Sequence, residues 1–230
     1  MSVRRLRVPM VLMLAVAAIL AQTGSSLALF TESKTAAANT LTAGSWAFYL
    51  HNNPTPPTAN TAAQANLAMN TTVPTAATLW QYSTGCAARA GRRLTRAAPS
   101  PTQATLCDYQ NWRTPALTVG LSLSGAISVD IWTASDTGTA NRTAGVVAYL
   151  RDFNPTAGTY VEIANATYTG AYAVGRTYYE RPILVAVAPV YTLAVGHMLE
   201  VKIESPTATS QNNMLVAYDT TADSSVVRVR

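Results

Sequence analysis

The sequence predicts an all-β fold: one jelly-roll-like β-sandwich of two sheets, in a single domain that follows a signal peptide. Apolar and polar residues alternate with a period of two in several short runs, the pattern of strands with one buried face. Gly, Pro and Asn stand between these runs, where they supply turns. No convincing amphipathic helix is found from Ser45 to Arg230. The sandwich prediction rests on these observations together.

The N-terminus has the parts of a signal peptide. A basic start precedes the apolar run at residues 10–21, and Ser26 and Ala28 form a small-residue site, so cleavage is expected before Leu29. A twelve-residue helix rises only ~18 Å, well short of the ~30 Å hydrocarbon core. We therefore expect a secreted, extracellular protein at the cell surface, with no stable membrane span after processing. An uncleaved anchor would place the polar residues 22–26 in lipid.

Cleavage divides the precursor into three parts. Residues 1–28 are the signal peptide, 29–44 an extended N-terminal segment, and 45–230 the β-sandwich domain, with a long loop at about 52–77 and a cysteine-bounded loop at 86–107. Three arginines leave with the signal, so the mature chain carries 13 basic and 11 acidic residues. That surplus is too small to predict nucleic acid as a partner.

Short runs of strand-forming residues follow one another along the domain. They lie at residues 45–50, 78–82, 118–123, 126–133, 145–153, 159–167, 177–187, 197–204, 213–218 and 225–230. A tight turn at Ser124 and Gly125 is predicted between the third and fourth. The clearest alternation is at 197–204, where three aliphatic residues alternate with Glu200, Lys202 and Glu204, and it predicts that these charges face solvent.

The two cysteines, Cys86 and Cys107, lie in the exported part of the chain. Export favours a disulfide between them. Closing a loop of this size is worth about 3 kcal/mol in the chain-entropy model. Free thiols are the alternative, and two cysteines without a nearby histidine make a poor zinc site.

Four arginines stand between the cysteines and predict a candidate site for an anionic glycan, a teichoic-type polymer or a phosphate. A solvated loop is the alternative. The four are Arg89, Arg92, Arg93 and Arg96.

The sequence predicts no enzyme, no cofactor and no metal site. Only two histidines are present, and His197, at the entrance to a strand, is interpreted as an edge cap. Glu200 and Glu204 share a strand face, as a glycosidase pair could, but outward charges explain them more simply. Asp219 and Asp223 offer hard oxygens at short spacing, as Ca²⁺ prefers, and a plain turn is the favoured interpretation.

The stretch "LALFTESKTAAANTLTAGSW" at residues 27–46 resembles the precursor N-termini of the TasA/camelysin group, which are processed by a SipW-type signal peptidase. The matching residues are Ala28, Phe30, Thr31, Glu32, Asn39, Leu41, Ala43 and Gly44. Glu32 replaces the more usual Asp, and the sequence after Gly44 lacks the acidic strand typical of the group. The resemblance covers about 20 of 230 residues. It implies export and a jelly-roll-like surface protein, often a matrix fibre subunit; the rest looks like a galactose-binding-like jelly roll.

These observations predict a secreted structural protein of the cell surface, as an extracellular matrix or filament subunit or an adhesin. Its expected partners are further copies of the chain or a cell-surface polymer. Phe30 and Leu41 would anchor a donated strand at the edge of a neighbouring subunit. The alternative is a non-catalytic carbohydrate-binding module that stacks a glycan on aromatic side chains such as Trp112 or Trp132.

Overall fold

Strands make up all the regular structure of the described residues. The computed structural model describes residues 46–52, 66–79, 91–137, 142–172, 176–210 and 212–229. These residues fall within one unit, Ala43–Arg230. They include no helix long and apolar enough to cross a membrane. The predicted signal peptide, its cleavage site and the strand-donor residues Phe30 and Leu41 lie outside the described residues.

Twelve strands lie within the described ranges. They are β1 Trp46–His51, β2 Asn66–Asn70, β3 Arg92–Leu94, β4 Arg96–Ala97, β5 Tyr109–Arg113, β6 Leu121–Ser135, β7 Arg142–Asn154, β8 Thr159–Tyr172, β9 Tyr179–Leu193, β10 Met198–Pro206, β11 Met214–Ala217 and β12 Val226–Val229.

The described strands form one mixed sheet in the order β3-β11-β6-β12-β1-β2-β5-β10-β7-β8, with β4 pairing β10 and β9 pairing β6. The β2–β5 and β4–β10 pairs are parallel, whereas β10 is antiparallel to both β5 and β7. The all-β prediction is confirmed. Because hydrogen bonds connect the strands into one network, the division into two sheets stays a prediction.

Strand β6 differs from the predicted hairpin. The expected turn at Ser124 and Gly125 lies inside one continuous strand, and the register with β9 shifts between Leu123 and Gly125. Gly125 has a φ of 72°, a conformation that glycine adopts without the steric cost other residues meet. The glycine therefore makes a bulge within the strand rather than a reversal of the chain.

Strand β2 lies inside the segment 52–77, which the sequence analysis assigned to a loop. Leu67 and Met69 are buried, and β2 runs parallel to β5 with Leu67 opposite Trp112. Two apolar residues at alternate positions are too short a pattern to reveal a strand by periodicity. Residues 66–70 join the core by pairing with β1 and with β5.

The core is formed by the alternating aliphatic residues of the long strands. On β6, Ile127, Val129 and Ile131 are fully buried. On β10, the predicted core face of Leu199, Val201 and Ile203 is also fully buried. Trp112 of β5 packs edge-on against Tyr218, with 5.2 Å between ring centroids.

Candidate functional site

Both histidines of the chain are paired with an aspartate. His197 Nδ1 lies 2.7 Å from Asp152 Oδ1, and His51 Nδ1 lies 2.8 Å from Asp219 Oδ1. A carboxylate on Nδ1 fixes the orientation and the tautomer of an imidazole and leaves Nε2 to act elsewhere. A pair can take part in proton transfer only if Nε2 of its histidine is not already engaged by another group.

A tight turn and a long strand bring His197 and Asp152 together. His197 immediately precedes β10, and its amide donates to the carbonyl of Ala194. Gly196, with a φ of 85°, makes this turn possible, and its amide donates to the carbonyl of Leu117. Asp152 lies on β7, directly opposite Leu199 in the β7–β10 register. The histidine is thus held by backbone bonds on both sides of its own turn.

Asp152 is held from two sides. Its Oδ1 accepts from His197 and its Oδ2 accepts from the Tyr191 hydroxyl at 2.9 Å. Burial, followed by the hydrogen bond to Asp152 and its negative charge, raises the pKa of Tyr191 to about 12. Tyr191 therefore stays a proton donor at neutral pH. We name His197, Asp152 and Tyr191 the histidine site.

Solvent reaches the histidine but hardly reaches its aspartate. The side chain of His197 is 27% exposed, whereas that of Asp152 is 7% exposed. Because the carboxylate only accepts, the neutral ring carries its proton on Nδ1 and keeps a lone pair on Nε2. In the part of the chain that the structure describes, no hydrogen bond to this Nε2 is found.

His51 is arranged differently. Its Nε2 lies 2.9 Å from the carbonyl oxygen of Thr72, so both ring nitrogens face acceptors. Both contacts are to oxygen atoms that can only accept, so each ring nitrogen of His51 is already engaged by a neighbouring group. His51 is therefore a structural tie between β1 and the loops around it, and its Nε2 is not available as a base.

Asp219 is stabilised as a carboxylate. Burial alone would raise its pKa, but hydrogen bonds from His51 and from the Asn52 amide, together with the charge of His51, lower the pKa below its usual value. Both carboxylate oxygens are thereby occupied. Burial raises the pKa of the other member of the candidate Ca²⁺ pair, Asp223. No group of three or more potential metal-binding side chains is found among the described residues.

We predict opposite effects from neutralising these two aspartates. The pKa of folded Asp219 lies below the ordinary value of 3.8, so its stabilisation is complete above that value and is lost as pH falls through the folded-state pKa. Asp219→Asn should therefore lower the thermal midpoint near neutral pH and reduce its loss on acidification. Asp223→Asn is the matched control: its raised pKa means that the charged form opposes folding, so this change should leave the midpoint equal or higher. Midpoints recorded between about pH 2 and pH 7 test both, and equal losses in the two variants would contradict the assignment.

The predicted solvent-facing charges of β10 are buried instead. Glu200, Lys202 and Glu204 are at most 1% exposed. Segment 98–105 covers them: Lys202 Nζ donates to the carbonyls of Ser100 and Gln103, both at 2.9 Å. The prediction of solvated charges is wrong because a segment about one hundred positions away in sequence returns over this face.

Glu200 lies at the centre of this group and is neutralised by two arginines. It pairs with Arg113 of β5 and Arg151 of β7, and it accepts from Asn111 Nδ2 at 2.8 Å. The Arg113 guanidinium stacks on the Phe153 ring at 3.4 Å. We name Glu200, Lys202, Glu204, Arg113 and Arg151 the buried charge ladder. Since every carboxylate here has a cation, the ladder is a structural network rather than a glycosidase pair.

The remaining predicted site residues have separate surroundings. Arg92 is buried, Arg93 lies 3.6 Å from Asp136, and Arg96 donates to the carbonyl of Ser210 at 2.9 Å. Arg89 lies outside the described residues, and the anion site stays a prediction.

Cys107 is disulfide-bonded, while Cys86, the only other cysteine in the sequence, lies outside the described residues. Trp112 is fully buried and cannot stack on a sugar.

No family model matches this chain, and no curated protein matches it. Solved structures do share its fold. An aminopeptidase from a marine sediment archaeon, Thaumarchaeota archaeon, has a TM-score of 0.55 at 13% identity, over 81% of this chain and 36% of its own. An α-amino acid ester hydrolase has a TM-score of 0.52 at 14% identity, over 80% of this chain and 36% of its own. A CocE/NonD family hydrolase from Staphylococcus aureus has a TM-score of 0.52 at 9% identity, over 81% and 36% respectively.

These likenesses establish the fold, and the chain spans about a third of the length of each protein. They correct the prediction of a structural surface subunit or a non-catalytic carbohydrate-binding module, because these solved proteins with this fold are hydrolases. They also correct the prediction that the chain is not an enzyme. That prediction relied on the small number of histidines, and the histidine site shows that one histidine is already paired with a buried carboxylate.

Proposed function

We propose that this chain is a hydrolase of ester or amide bonds, with amino-acid derivatives as its substrate class. The observation that carries the proposal is the shared fold. Over at least 80% of its length the chain superimposes on an aminopeptidase and on an α-amino acid ester hydrolase. Both names describe attack on the carbonyl of an amino-acid derivative.

The histidine site also supports the proposal, because it contains a side chain that can accept a proton during hydrolysis. Hydrolysis of either bond requires a group that accepts a proton from the attacking oxygen, and histidine is the side chain that does so most often. His197 is accessible, and its aspartate is nearly buried. The described residues thus hold one group suited to this step.

We further propose that the hydrolase works outside the cytoplasm. Support comes from the signal-peptide pattern before Leu29, from the resemblance to TasA/camelysin precursors, and from the disulfide at Cys107. Disulfides persist in oxidising compartments. Association with further copies, a surface polymer or a glycan stays a prediction.

The activity is tested with the purified full chain and matched chromogenic substrates. L-alanine para-nitrophenyl ester and L-alanine para-nitroanilide report on the ester and the amide bond, and para-nitrophenyl acetate lacks the amino group. We expect the folded chain to release product from at least one alanine substrate faster than from the acetate, relative to the heat-unfolded chain. Equal rates for folded and unfolded chain on all three substrates would overturn the proposal.

A further inference from the structure

Two histidine–aspartate pairs in one chain give an internal comparison. Both imidazoles have a carboxylate on Nδ1, at 2.7 Å in His197 and 2.8 Å in His51. They differ at Nε2, which the Thr72 carbonyl occupies in His51. The side chain of His197 is 27% exposed and that of His51 is 12% exposed. Among the described residues, Nε2 therefore has a protein partner in His51 and none in His197.

We propose that His197 is the catalytic base of this chain, with Asp152 and Tyr191 as its positioning residues. This inference rests on the proposed function and names the group that performs it. His197 Nε2 removes a proton from a water molecule as the water oxygen attacks the carbonyl carbon of an amino-acid ester. The imidazolium then returns that proton to the leaving alkoxide as the carbon–oxygen bond breaks. Acid and alcohol are released, and the imidazole is neutral again.

The positioning residues act through the charge and geometry of the ring. The Asp152 carboxylate beside Nδ1 stabilises the imidazolium that forms during the reaction, as the aspartate does in catalytic triads. Tyr191 donates to the other oxygen of Asp152 and so keeps the carboxylate from rotating away. The turn that carries His197 also carries Val195, an apolar side chain that is 64% exposed. An exposed valine in the same short turn provides apolar surface for the substrate's carbon chain.

The first measurement does not depend on hydrolytic activity. Diethyl pyrocarbonate acylates unprotonated imidazole nitrogens, forming an N–C bond with release of ethyl carbonate, and mass spectrometry of peptides locates the product. We expect carbethoxylation of His197 in the folded chain about ten times faster than that of His51, because the Thr72 carbonyl occupies Nε2 of His51, whereas no described residue bonds to Nε2 of His197, the more exposed ring. Equal rates, or a faster reaction at His51, would overturn the inference.

The second measurement is hydrolysis of L-alanine para-nitrophenyl ester by matched variants. His197→Gln should lower kcat by about a hundredfold or more, the usual contribution of general acid–base catalysis, and added imidazole should restore part of the rate. His51→Gln is the control and should leave kcat unchanged. Asp152→Asn should lower kcat with little change in KM, because the amide no longer stabilises the imidazolium. Circular dichroism of each variant confirms that it is folded.

The outcomes separate this inference from the proposed function. Hydrolysis by the wild-type chain that persists in folded His197→Gln overturns the inference and leaves the hydrolase proposal standing. Absence of hydrolysis together with selective carbethoxylation of His197 overturns the hydrolase proposal and, with it, the role as a base, while the open Nε2 is supported. Loss of activity in both histidine variants to the same extent also overturns the inference.

Discussion

Replacing Glu200 with alanine should lower the free energy of unfolding by about 3–5 kcal/mol, the range measured when one partner is removed from a buried ion pair. Glu200 is fully buried between Arg113 and Arg151. Without the carboxylate, two guanidinium groups stay in a site from which water is largely excluded, and the Asn111 amide loses its acceptor. The loss is a large fraction of the stability of an ordinary domain.

Urea unfolding of the variant beside the wild-type chain measures this effect. Glu180→Ala is the matched control because Glu180 also lies on a long strand but is exposed, and surface changes usually stay within about 0.5 kcal/mol. Glu200→Gln should fall between the two, since the shape is kept while the charge is lost. A loss in Glu200→Ala no larger than in Glu180→Ala would mean that the arginines find water or other acceptors.

The core side of β10 could be predicted from the sequence, and its polar side could not. A period of two identifies which residues share a face, and Leu199, Val201 and Ile203 are all buried. The same pattern says nothing of what covers the opposite face. Segment 98–105 reaches it through bonds to Lys202 that span about one hundred positions, and no local pattern encodes such a return. The rule that alternate charges face solvent fails wherever a loop folds back.

The histidine site shows the same limit at the level of function. The sequence pattern indicates an edge cap at His197 and nothing local points to Asp152, because 45 positions separate the two residues. The antiparallel pairing of β7 and β10 brings them together. The glycine before His197 was the one local signal, since Gly196 makes a tight turn that presents the next side chain. Counting histidines could not reveal which one has a buried carboxylate beside it.

Lys202→Met should also lower the free energy of unfolding by about 3–5 kcal/mol. The reason is not the same as for Glu200. Burial lowers the pKa of Lys202 despite the opposing effect of Glu204, and the two charged groups lie 2.6 Å apart. The ammonium also donates to carbonyls of segment 98–105. Methionine keeps most of the side-chain volume but gives up these bonds and leaves the Glu204 carboxylate without its cation.

The double variant Lys202→Met/Glu204→Gln separates the two contributions. Glutamine keeps an acceptor oxygen for the Ser100 amide, which donates to Glu204 Oε2 at 2.9 Å. If the unpaired charge causes most of the loss, the double variant should be more stable than Lys202→Met alone, with a coupling of about 1–3 kcal/mol between the two changes. If the lost bonds to the covering segment cause most of the loss, the double variant should be no more stable than Lys202→Met.

In that case, hydrogen exchange should be faster at residues 100–105 in both variants while β10 stays protected. Strictly additive losses, with unchanged exchange in segment 98–105, would contradict both roles of Lys202, because neither the ion pair nor the bonds to the loop would then be contributing to the fold.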